Sequence, residues 1–157
     1  VTPDICPAVS AALLKAETTG GPAGAMVLPD GRVVTGKTSD TLGAASALLL
    51  NAMKALGGID DHFELISAQV LEPVCRLKTQ YLGHKNPRLH TDEVLIALSM
   101  SAATDDTARK ALSQLPKLRG CQVHTSVMLS NVDIKTFKKL GVQLTSEPVY
   151  EHNKLYH

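Results

Sequence analysis

Apolar and polar positions along this chain recur with the periods of helices and strands, and each period predicts an element. Residues 7–15 favour helix, and Thr18, Thr19, Gly20, Gly21 and Pro22 end it with turn formers and a helix breaker. Two short β-prone runs, 25–28 and 32–35, flank Pro29-Asp30-Gly31 and predict a hairpin. Residues 42–56 form the most apolar stretch. Their polar members Ser46, Asn51 and Lys54 fall in a sector of about 140° at the helical angle, so a helix enclosed on most sides is expected. Ser39 or Asp40 is placed to cap it, and Gly57 and Gly58 to end it.

Residues 64–67 read as a short buried strand, and residues 69–82 as a helix holding Pro73 in its first turn and closed by Gly83. After a basic loop, Thr91 is placed to cap a helix with Asp92 and Glu93 in its first turn, apolar nearly all round through Val94, Leu95, Ile96, Leu98 and Met100. Thr104, followed by Asp105 and Asp106, starts another helix that ends before Pro116. Strict alternation over residues 121–129 predicts a strand with Cys121, Val123, Thr125, Val127 and Leu129 on one face, and Gln122, His124, Ser126 and Met128 on the other. Ser130 to Asp133 has capping spacing. The helix behind it turns Ile134, Phe137 and Leu140 inward and Lys135, Lys138 and Lys139 outward, up to Gly141. A last strand covers 142–146, and Pro148 opens a polar tail.

This order, hairpin first, predicts an α/β fold: a three-layer mixed sheet flanked by helices, with a cytidine-deaminase-like topology. The metal motif of such enzymes is missing. Thr41-Leu42-Gly43-Ala44 stands where a His or Cys and then a Glu should open the helix, and no PCxxC follows. Val123, Val127, Leu129, Leu48, Leu49, Met53, Leu95 and Leu98 are the expected core. No repeat or linker divides the 157 residues, so a single domain over 1–157 is expected.

Composition narrows the functional classes. Lys and Arg number 16 against 15 Asp and Glu, and aromatics are only 3%, so neither general electrostatics nor base stacking favours a nucleic-acid partner. The longest apolar run is shorter than the roughly 20 residues that span a bilayer, and no membrane partner is expected. Cys6, Cys75 and Cys121 form no CxxC pair and read as buried thiols of a cytoplasmic protein. No metal and no cofactor is expected. The chain opens on Val without a secretory pattern, which suggests processing or a fragment.

Two stretches carry candidate chemistry. Gly31 to Thr38 spells the phosphate-loop pattern GxxxxGK[ST], but β-branched Val33 and Val34 belong to the second strand of a hairpin, where no nest of backbone N–H groups can form. Lys37, Thr38, Ser39 and Asp40 remain candidates for holding an anion at the start of the apolar helix. The loop bearing His84, Lys85, Asn86, Arg88 and His90 is the most basic of the chain and could grip the same anion, if the two segments meet. His124 reads as a hydrogen-bonded or surface histidine able in principle to serve as acid or base. Neither a nucleophile signature nor a metal-ligand spacing accompanies these residues.

The strings at residues 28–56 (LPDGRVVTGKTSDTLGAASALLLNAMKAL), 81–104 (YLGHKNPRLHTDEVLIALSMSAAT) and 114–133 (QLPKLRGCQVHTSVMLSNVD), with the terminal KLYH, resemble a bacterial family catalogued as Domain of Unknown Function 1846. The resemblance implies the C-terminal third of a longer protein whose N-terminal part carries a glycine-rich, phosphate-loop-like segment. It brings no catalytic residues. The expected role is therefore a small-molecule-binding, regulatory or oligomerisation domain, partnered by its own N-terminal domain and by further copies in a homo-oligomer. The competing expectation is an enzyme, a transferase or hydrolase acting on a phosphorylated metabolite.

Overall fold

The structure, a computed structural model, describes residues 7–39, 42–60, 63–66, 68–83 and 88–147. Its strands are β1 (Ala23–Val27), β2 (Val33–Lys37), β3 (Gln122–Thr125) and β4 (Gln143–Ser146), forming one sheet in the order β2-β1-β3-β4. Its α-helices are α1 (Pro7–Thr19), α2 (Ala44–Gly57), α3 (Ala68–Arg76), α4 (Thr91–Ala102), α5 (Asp106–Leu112) and α6 (Asn131–Leu140). A π-helical turn, Leu77–Tyr81, extends α3, and a 3₁₀ turn, Leu115–Leu118, follows α5. The fold is α/β with a four-stranded mixed sheet: β1 runs antiparallel to β2 and β3, and β3 runs parallel to β4.

The hairpin forms as its turn residues require. Gly31 adopts φ 91° and donates its N–H to the Leu28 carbonyl, while Leu28 N–H reaches the Arg32 carbonyl. Gly31 to Thr38 therefore spans a hairpin turn and a strand. One residue of that string matters for packing. A Cβ on Gly36 would lie 2.3 Å from the Leu48 nitrogen, so only glycine lets α2 rest directly on β2.

Side chains alternate across the sheet, and each face has its own cover. Ala8, Val9 and Ala12 of α1 pack with Ala25 on one face. On the other, Met26 and Val123 join Leu48, Leu49 and Met53 of α2, Val94 and Leu98 of α4, and Phe137 of α6. Of the expected core, Leu95, Val127 and Leu129 are only half-buried.

Tertiary contacts move several boundaries. β3 stops at Thr125 rather than running to Leu129: the Ser126 N–H still reaches the Ala23 carbonyl, but the Ala23 N–H is taken by Ser126 Oγ in place of a backbone carbonyl. Helix α2 begins at Ala44 behind Gly43, not at Leu42. Leu42 forms an isolated parallel bridge with Leu89, which keeps the chain extended up to Gly43. Ser39 consequently caps nothing; its Oγ accepts the Leu42 N–H instead. Described residues 63–66 form no strand, although Leu65 and Ile66 are buried, and Ser67 lies outside the described residues. Pro73 sits inside α3 rather than in its first turn, and a proline there cannot donate to the preceding turn. The caps of α4 and α5 are His90 and Asp105, each a neighbour of the expected Thr91 and Thr104. Helix α6 is rolled so that Asp133 and Phe137 are buried while Ile134 is exposed. On α4, Ile96 and Met100 also face outward. Cys6 and the tail from Pro148 lie outside the described residues.

Candidate functional site

A narrow cleft of about 20 Å³ opens where β3 ends, beside the residue that follows β2. In open α/β sheets the carboxyl ends of strands are where ligands are held, because the flanking helices begin there. Three helices start at this cleft. Gly43, Ala44 and Ala45 bring the N-terminus of α2, His90 that of α4, and Ser130 with Asp133 that of α6; Thr38 and Arg88 add polar groups, and Pro22, Leu89 and residues 127–129 line the rest. Each helix directs a partial positive charge and unpaired N–H groups toward the same space.

The three termini differ in how far protein groups already satisfy them. In α6, Ser130 Oγ accepts the Asp133 N–H. In α4, Asp133 Oδ1 accepts both the Thr91 N–H at 2.9 Å and the Thr91 hydroxyl at 2.8 Å, and Asp92 accepts the Glu93 N–H. Helix α2 has glycine at its cap and no side-chain acceptor. Its first turn is thus the one left for an external anion.

A buried ionic network lies directly behind the cleft. Lys78, in the π-helical turn, is 4% exposed and donates to Glu93 Oε1 at 2.8 Å and to the Arg88 carbonyl. The same Oε1 accepts the His90 backbone N–H at 2.8 Å and faces His90 Nδ1 at 3.2 Å. Burial works to raise the Glu93 pKa, but the hydrogen bonds from the His90 side chain and backbone and from Lys78 outweigh it and bring it to about 2. The hydrogen bond to Glu93 raises the His90 pKa; burial opposes that rise, the Asp133 charge adds to it and Lys78 subtracts from it. Lys78 and Glu93 together therefore anchor the backbone on both sides of Leu89, Lys78 at the Arg88 carbonyl and Glu93 at the His90 N–H, and Glu93 also faces the His90 ring.

The structure brings together part of the two segments expected to meet. Arg88 Nε donates to the Ser39 carbonyl at 2.5 Å, and Thr38, Arg88 and His90 share the cleft wall. Lys37 goes elsewhere. Strand alternation places it opposite Gly36, on the α1 face of the sheet, so it lines nothing in the cleft. Asp40, His84, Lys85 and Asn86 lie outside the described residues. His124 is buried, on the same sheet face as Ala25, with Nδ1 2.7 Å from Thr145 Oγ1 and Nε2 2.8 Å from Glu147 Oε2. Both of its nitrogens are occupied and it faces away from the cleft.

Sequence reasoning missed Lys78, Glu93, Asp133 and Thr91 as site-forming residues. One signal for Lys78 was present: it continues the stripe Leu71, Val74, Cys75 at helical spacing, where a lysine must find a buried partner. Among the described residues no group of His, Cys, Asp and Glu is arranged to hold a metal ion, and no helix is long and apolar enough to cross a membrane.

Known proteins place the chain among much longer ones. A UPF0371 protein of Corynebacterium efficiens is 57% identical over 148 residues, covering 94% of this chain and 30% of that protein. A UPF0371 protein of Corynebacterium diphtheriae is 57% identical over 140 residues, 89% of this chain and 28% of its own length. One from Streptococcus pyogenes is 46% identical over 156 residues, 99% of this chain and 32% of the relative. The chain thus spans under a third of the length of these relatives. Residues 4–156 match the family described as "Domain of unknown function DUF1846, C-terminal", and the chain belongs to that family.

Proposed function

We propose that this domain binds a small anionic group, a phosphoryl, sulfuryl or carboxylate group, in the cleft between the start of α2 and the residues Arg88 and His90, as the ligand-binding and regulatory part of a longer protein. The observation that carries this reading is the junction itself. Arg88 is pinned to the Ser39 carbonyl beside Thr38 and His90, facing an α2 N-terminus that has no side-chain cap. A cationic side chain, a threonine and an uncapped helix start therefore border one cleft, the kinds of group that oxyanion recognition uses. Affinity comes from Arg88 and the α2 N–H groups, and Lys37 contributes nothing directly. Asp40, His84, Lys85 and Asn86 belong to the same two segments of the sequence and are proposed as further ligand-binding residues. In the longer protein the anion would be the part of a ligand that reaches this domain from an N-terminal, nucleotide-handling partner domain, with further copies completing a homo-oligomer. The thiols of Cys75 and Cys121 are free, which suits a cytoplasmic setting.

The test is calorimetric titration of the 157-residue chain with sulfate, inorganic phosphate and acetate, alongside Arg88→Ala. Saturable binding that Arg88→Ala weakens at least tenfold supports the reading; equal affinity in both proteins refutes it. A second reading, an enzyme acting on a phosphorylated metabolite, is favoured by the Glu93–His90 pair, since a carboxylate orienting an imidazole is how general bases are built. Turnover of small phosphate esters by the chain, abolished in His90→Asn, would establish it.

A further inference from the structure

The regulation of this cleft is written in how His90 is held, and the inference rests on the anion-site reading above. The ring lines the cleft, and His90 stands at the N-cap position of α4. Its Nδ1 faces Glu93 Oε1, and a carboxylate oxygen can only accept, so Nδ1 keeps its proton in both charge states of the ring. Titration is thereby confined to Nε2, which meets no hydrogen-bond partner among the described residues. In the neutral ring Nε2 is an acceptor that repels an oxyanion's lone pairs; in the imidazolium it is a charged donor.

We propose that oxyanion binding in the cleft is coupled to uptake of one proton at His90 Nε2, so that a doubly charged tetrahedral oxyanion is held most tightly when the ring is an imidazolium. The charged groups facing the ring set the balance. Glu93 on α4 remains a carboxylate far below neutrality, and Asp133 on α6 adds a second negative charge. Lys78 of the π-helical turn subtracts from both, with its charge directed into Glu93. Glu93 Oε1 accepts from Lys78 and the His90 backbone, and Asp133 Oδ1 accepts from Thr91, while no hydrogen bond occupies His90 Nε2 among the described residues. Linkage makes the effect reciprocal: the anion must raise the pKa of His90 by as much as the proton tightens the anion.

Sulfate is the suitable probe, because it keeps both charges throughout the range from about pH 5.5 to 8.5 where histidine titrates and phosphate changes charge. Its dissociation constant for the 157-residue chain, measured by calorimetry, is expected to rise at least tenfold from the acidic to the basic end. His90→Asn keeps a good helix cap and should bind sulfate with a constant that varies less than twofold. Independently of any variant, the His90 ring proton resonances of the unmodified chain should titrate at higher pH when sulfate is saturating. Sulfate affinity that is flat with pH in the unmodified chain, or a slope retained in His90→Asn, overturns the proposal while leaving the anion site standing. Absence of sulfate binding at every pH overturns the site and this inference together.

Discussion

Replacing Glu93 by Gln probes the network behind the cleft most directly. The substitution preserves shape and removes the charge that Lys78 and His90 share. The magnitude follows in two ways. The fall of the Glu93 pKa from its ordinary 4.5 to about 2 is worth about 3 kcal/mol of folding stability at neutral pH. Breaking a buried ion pair costs about 3–5 kcal/mol, and here the Lys78 side chain is 5% exposed but Glu93 is 28% exposed, which lowers the expectation to about 2–3 kcal/mol. A depressed carboxylate pKa stabilises the fold fully above 4.5, and this stabilisation is lost as pH falls through about 2. Urea denaturation near pH 7 should therefore show Glu93→Gln about 2–3 kcal/mol less stable than the parent, and by about pH 3 the gap should shrink by more than half. A deficit under about 1 kcal/mol at neutral pH, or a gap independent of pH, would refute the assignment of Glu93 as the counter-charge of a buried lysine.

Three further perturbations test neighbouring parts of the fold. Leu49→Ala empties a fully buried position of α2 and should cost about 2–5 kcal/mol by urea denaturation; a cost under about 1 kcal/mol would show that the helix is not enclosed. Gly36→Ala forces the Leu48 backbone away from β2, with an expected loss of about 1–3 kcal/mol and a lower melting temperature, and wild-type stability would deny the contact. Thr91→Val removes one of the two donors to the buried Asp133 carboxylate and should cost about 1–3 kcal/mol by urea denaturation; a neutral result would mean that water replaces the hydroxyl.

Element types were legible wherever one contact face dictated the period. The aliphatic helix at 44–57, the hairpin around Gly31 and the helix closed by Gly141 all follow from local pattern and turn chemistry. What escaped depended on partners distant in the chain. Residues 39–42 were read as the start of a helix because nothing local reveals that Leu42 pairs with Leu89. Strand β3 was read too long because its alternation continues past Thr125, while the N–H that Ser126 Oγ takes belongs to the distant Ala23. Of the candidate cleft, Thr38, Arg88 and His90 are lining residues that the sequence had singled out. Its supporting carboxylates were not, since Glu93 and Asp133 each look like ordinary surface residues of amphipathic helices until their helices are brought together.

The place of β1 in the sheet also governs how the molecule can be made. Its first partner arrives within a few residues, through a two-stranded turn, and α1 precedes both, so these elements can assemble as soon as they are synthesised. Its second partner is far away: the pair joining Ala23 to Ser126 closes a separation of 103 residues. At a synthesis rate of about 5–20 residues per second, the outer edge of β1 stands without its neighbour for roughly 5–20 s on the ribosome. During that interval an open row of backbone donors and acceptors is presented to other nascent chains, the geometry from which strand-to-strand aggregation starts. Brevity is the protection this sequence offers, since β1 contributes only five residues, two of them alanine and one glycine, and such a segment is a poor template until the last quarter of the domain emerges to claim it.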